Sequence, residues 1–172
     1  LTLPEQQRMV DALQRALQRA IYGVETDDEV IPAWREALRG ISEASMWLLG
    51  VPSDNGAGFT RGSNVAPSAI RAHLLAYHPD HPLLSEGCLD VGDVRVIPHL
   101  LSEEMLSEAQ RAQSQLALYG ASKAHPVAPL ELCELALSHL NALSSKGRGV
   151  PIVLGGDHSV GWPAFKSAFQ RW

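Results

Sequence analysis

Cysteine is scarce. The chain of 172 residues has two, Cys88 and Cys133, far apart and without Cys-x-x-Cys spacing. That leaves neither a zinc ribbon nor a redox pair indicated, and the apolar neighbours of both point to core thiols. Positive charge is also in short supply: 14 Lys and Arg against 19 Asp and Glu give a net charge of -5. This balance argues against a sequence-independent grip on a phosphate backbone, and solubility is its simplest consequence. No apolar run reaches membrane-spanning length, and the opening LTLPEQQRMVDALQRALQRA is amphipathic rather than leader-like. A cytoplasmic chain that binds neither nucleic acid nor membrane is expected. An initiating methionine is missing too, which points to a processed or trimmed start. Neither an internal repeat nor a low-complexity tract is evident.

What is present divides near residue 42. Met9, Leu13, Leu17 and Ile21 recur at four-residue steps, which builds one helical face over residues 5–22. Thr26-Asp27-Asp28-Glu29 offers acidic capping for a second helix with Trp34 and Leu38, closed by Gly40. Residues 1–42 therefore read as a helical arm whose apolar face packs on this sheet or on another subunit. From Ser45 the pattern changes. SMWLLGVP is a short apolar run, expected to be a strand buried on both faces. The glycine-rich loop SDNGAGFTRGSN follows, then the helix APSAIRAHLLAY with Pro67 in its first turn. CLDVGDVRVI is the second strand, Leu101 to Leu118 a helix opened by Ser102-Glu103-Glu104, and LELCELALSHLNAL a helix ending at Lys146-Gly147. VPIVLGG is the third strand, and SVGWPAFKSAF starts another helix. This alternation predicts an α/β fold with a parallel sheet between helical layers. Chemistry in such folds collects at the carboxyl ends of the strands, where SDNGAGFTRGSN and GGDHS lie.

The corner Gly155-Gly156-Asp157-His158-Ser159 carries several readings. A histidine fixed at a strand end makes a metal ligand, with Asp157 orienting it or its neighbours and Ser159 capping the next helix. For a lone histidine the simpler reading is a strand-to-helix turn in which it completes a polar network. A phosphate cradle at a helix start is the third reading, and Asp157 puts an acid where the anion would sit. HPDHP also brings His78, Asp80 and His81 together, although two prolines make it a helix-ending loop first.

GGDHS after a parallel strand resembles the first metal-binding motif of the ureohydrolases: arginases, agmatinases, formiminoglutamases and guanidinobutyrases. GVPSDNGAGFTRGSNVAPSAIR, Gly50 to Arg71, resembles the agmatinase-like first loop and helix, with Ala66-Pro67 where Gly-Pro is usual. LDVGDV, Leu89 to Val94, is similar to the second-strand signature. These motifs cover residues 45–169. The resemblance implies a three-layer αβα, arginase-like fold, here its first three strands (residues 43–172) in the order second-first-third behind the arm. It implies hydrolysis of a guanidino or related linear C–N group to urea and an amine. The cofactor would be two Mn2+ ions sharing a hydroxide. By the same resemblance His158 is a metal ligand and Asp157 its orienting neighbour. Asn55 and Arg61 are candidates for the pocket mouth, and a small guanidino substrate and a homo-oligomer are expected. The loop's wording favours a decarboxylated or shorter substrate slightly over arginine.

The family's later ligands, of the types Asp-Ala-His-x-Asp and Asp-x-Asp, have no counterpart in this sequence. Asp54, Asp90 and Asp93 are the acids available as substitutes. His73, His78, His81, His99, His125 and His139 read as surface or capping residues. One ligand cannot hold two dications, so these residues alone are expected to be inactive. We expect the N-terminal part of a longer or split ureohydrolase. The alternatives are a noncatalytic module that binds a full-length subunit and, last, a doubly wound domain whose GGDHS corner cradles an anion.

Overall fold

A computed structural model describes residues 3–85, 87–120, 124–144 and 149–171. The expected helix end at Lys146-Gly147 lies outside them. Nine main elements follow in chain order: α1 (Leu3–Tyr22), α2 (Asp27–Arg39), β1 (Met46–Val51), α3 (Ala66–Tyr77), β2 (Cys88–Asp93), α4 (Glu108–Tyr119), α5 (Pro129–Leu143), β3 (Val150–Gly155) and α6 (Gly161–Arg171). The strands form one parallel sheet in the order β2-β1-β3.

The composition of β1 explains its central place. Trp47, Leu48, Leu49 and Val51 are all buried, and alternation sends Trp47, Leu49 and Val51 to one face. There they join Cys133 and Leu137 of α5, Val160 and Ala164. The other face lies under α3, which touches both β1 and β3. Cys133 is wholly buried and Cys88 nearly so. Burial pushes the Cys133 thiol up to about 12, so both are core thiols as the sequence indicates.

The two N-terminal helices pack on the β2 side of this sheet. Thr26 caps α2 with Glu29 bonding back to it, and Gly40 ends the helix. Trp34 Nε1 donates to Val91 O at 3.0 Å, and Tyr22 OH donates to Asp90 O at 3.2 Å. Val91 is free to accept because the β1–β2 register skips it: Leu48 pairs with Asp90 and Leu49 with Gly92. Gly92 takes the bulge with φ +87, a conformation that favours glycine.

Two expected elements differ. β2 stops at Asp93, not Ile97. Val94 still bonds Gly50 O, but the chain then turns away over the sheet's carboxyl edge. The helix expected from Leu101 begins at Glu108, with Ser107 and Gln110 forming its capping box. The acidic Ser102-Glu103-Glu104 signal caps only a single 3-10 turn. A stronger cap five residues on won.

Candidate functional site

Because the strands are parallel, three connections leave the same sheet edge. They are the loop 52–62 after β1, residues 94–100 after β2, and the corner 156–160 after β3. β1 is central, so its loop lies between the other two and is bonded to both.

On the β3 side the tie is Asp157. Its Oδ2 accepts from Gly56 N at 3.0 Å and its Oδ1 from Ser159 N at 2.7 Å. Asp157, not Ser159, is therefore the capping residue of the turn His158–Val160. Ser159 instead reaches Ser53 Oγ at 3.4 Å. Glycine is demanded where the loops close on each other: a Cβ on Gly156 would stand 2.0 Å from Ser53 O and 2.4 Å from Ser63 O. Gly155 is equally confined, with Val160 Cγ2 at 2.1 Å from the same hypothetical atom. His158 is exposed at this corner, with Asp157 committed to backbone N–H groups beside it.

On the β2 side the tie is Asp54, which has no exposed surface. Its Oδ1 faces His99 Nδ1 at 2.5 Å, its Oδ2 accepts from Gly62 N at 3.1 Å, and Arg61 Nη1 stands 3.3 Å from Oδ1. Burial works to raise the Asp54 carboxyl. The hydrogen bonds from His99 and Gly62, with the positive charges alongside, outweigh that and hold it below the ordinary carboxylate range. Asp54 N also donates to Pro98 O, and Asn55 Nδ2 to Leu100 O at 2.9 Å.

These contacts place the sequence candidates. His158, Asp157, Asn55 and Arg61 all lie on the carboxyl edge of the sheet, as expected. Arg61 lies over Asp54, donating to its carbonyl at 2.6 Å, and Asn55 is turned toward Leu100. Asp90 and Asp93 are spoken for: both hold Arg71 of α3, Asp90 through two bonds of 2.6 and 2.9 Å and Asp93 through one of 2.5 Å. HPDHP precedes β2 and so lies at the opposite edge of the sheet. There His81 Nδ1 accepts from Leu83 N, and the His73 ring is 5.5 Å from that of His78. His125 stacks edge-on against Tyr119, and His139 bonds Leu135 O in its own helix. Among the described residues no group of three or more His, Cys, Asp and Glu is arranged to hold a metal ion.

His99 is where a surface reading falls short. Its ring is more than half exposed, yet it bonds a carboxylate with no exposure at all. Nothing local signals this pairing, since the partners are 45 residues apart. Their shared place, each in the loop that leaves a parallel strand, is the one clue the sequence offers.

Residues 44–172 match the sequence model of a family described as the arginase family. No curated protein matches the chain.

Proposed function

This chain belongs to the arginase family, and on that premise we propose that it is part of a hydrolase splitting a guanidino or related linear C–N bond to urea and an amine. One observation carries the reading: an exposed histidine, His158, ends the third parallel strand on a two-glycine turn bound to the β1 loop through Asp157. The turn fixes the backbone from which the ring projects.

The family implies a manganese pair, which supplies a hydroxide nucleophile at neutral pH when bound. The described residues do not fit such a pair by themselves. Of the candidate acids, Asp54, Asp90, Asp93 and Asp157, none is uncommitted, since each has partners of its own, which leaves His158. Two dications need acids to offset their charge. The remaining ligands must come from outside these residues, and the 172 residues alone do not turn over substrate. Their own part is to present His158, to fix the β1 loop between its neighbours, and to exclude water with the buried Ser53–Asp54 segment. A cytoplasmic homo-oligomer acting on a small guanidino compound belongs to the same proposal.

A noncatalytic module that binds a full-length subunit is the second reading, favoured by the same shortage of ligands. Urea release separates the two. The product of the whole reading frame should release urea from a guanidino compound with manganese present, while the 172 residues alone release none. His158→Ala should abolish release and lower bound manganese. Absence of urea release by the whole product defeats the hydrolase reading, and a His158→Ala enzyme of full activity and metal content defeats the role given to His158.

A further inference from the structure

The Asp54–His99 pair lies on the functional edge, but the capture of metal by His158 makes no use of it. A structural carboxylate needs no half-open imidazole; Gly62 N–H and Arg61 already bond it. What the pair does have is aim. Asp54 N holds the carbonyl before His99, and Asn55 holds the carbonyl after it. Asp54 Oδ1 holds the ring itself at 2.5 Å. Backbone and ring are thus fixed together from one loop.

The direction of the proton follows from the chemistry of the partners. An ionised carboxylate only accepts hydrogen bonds. Nδ1 therefore carries the hydrogen that points at Asp54, and in the neutral ring Nε2 is left as a bare acceptor on the exposed side. The Arg61 charge is matched by Asp54 at 3.3 Å, so the neighbourhood adds no net charge against a cation. A second acceptor lies on the β1 loop: Asn55 Oδ1 is buried and has no hydrogen-bond partner among the described residues. Orphaned acceptors of this kind call for a donor. A guanidino compound is a planar array of N–H donors.

We propose that His99 contacts the substrate, presenting Nε2 as a hydrogen-bond acceptor to a guanidino N–H, with Asp54 as its positioning residue. The identity of the substrate rests on the hydrolase reading above; the acceptor does not.

The test is 15N NMR of histidine-labelled chain titrated with methylguanidinium. His99 should show a protonated Nδ1 and an unprotonated Nε2, and the Nε2 signal should move saturably with the ligand. His99→Ala should weaken binding about three- to tenfold, the loss of one hydrogen bond. His99→Gln, which keeps an acceptor, should recover part of it. Asp54→Asn should move the hydrogen toward Nε2; if that variant does not fold, the two His99 variants decide the matter. A wild-type ring protonated at Nε2, or unchanged binding in His99→Ala, overturns the proposal. In the product of the whole reading frame, urea release with an unchanged KM in His99→Ala sinks the His99 role and spares the hydrolase. Absence of urea release with a methylguanidinium shift at His99 does the reverse.

Discussion

At the scale of single residues, the site is set by a few positions whose chemistry allows no exchange. Gly156 is one, because the atoms that a Cβ would strike at 2.0 and 2.4 Å are backbone oxygens of Ser53 and Ser63. Neither can rotate aside. Gly156→Ala should destabilise the chain by at least about 2 kcal/mol in urea unfolding, the range of overpacked sites. Asp54 gives a pH signature instead. Its carboxyl is held below the ordinary range despite burial, so the unfolded state takes up its proton first as pH falls. The stability that Asp54 contributes is fully present above the unfolded pKa, about 3.8, and is lost as pH falls through the folded value. Urea melts carried from pH 7 down to about pH 2 should show that decline on the acid side of the unfolded value, and Asp54→Asn should flatten it. The glycine corner and His158 are legible in the sequence as a strand end with a turn. The Asp54–His99 bond is not, because only the pairing of β1 with β2 brings residues 45 apart into reach.

At the scale of elements, the same pairing explains why two sequence motifs occur together. Arg71 on α3 is 2% exposed and forks onto Asp90 of β2 while reaching Asp93. Burial lowers the arginine's hold on its proton, but the two acids outweigh it and raise its pKa. Gly50 keeps β1 clear beneath, since a Cβ there would stand 1.7 Å from Asp93 Oδ1. The Ala-Ile-Arg of the helix and the Leu-Asp-Val-Gly-Asp of the strand are thus two halves of one ion cluster, on which Tyr22 of α1 also rests. Arg71→Ala leaves Asp90 without its partner and should cost about 3 kcal/mol in urea unfolding. Arg71→Lys keeps the charge but not the fork and should fall between. The elements whose burial follows local pattern, β1, α3 and α5, were readable because each carries its own period or cap. β2 and α4 each depart from the pattern's expectation at one end. Val94 and Val96 alternate like strand residues and are buried like them, but their burial comes from the loop crossing the sheet edge, which no period records.

At the scale of the whole molecule, the question is what the sheet leaves open. β3 has β1 on one side and no strand on the other among the described residues. It carries no charge along VPIVLG. Edges of that kind pair with whatever strand they meet unless charge or proline blocks them, and Pro151 is the one such device here. The helix that follows β3 adds to the exposure. Trp162, Phe165 and Phe169 are 66%, 63% and 76% exposed and stack in a ladder at 6.4 and 6.2 Å. Contiguous apolar surface of this sort drives association in water, whereas α6 turns Ala164 to the core. The two contributions separate by mutation. Phe165 is mostly exposed and is the middle ring of the ladder, so Phe165→Glu should leave the unfolding free energy from urea melts within about 0.5 kcal/mol of wild type. It should also place a charge in the middle of the stack. Sedimentation velocity over a range of concentrations should then show self-association of the wild-type chain that Phe165→Glu shifts toward the monomer. Equal association in the two would assign the attraction to the β3 edge alone, where the backbone, not the aromatic ladder, makes the bonds.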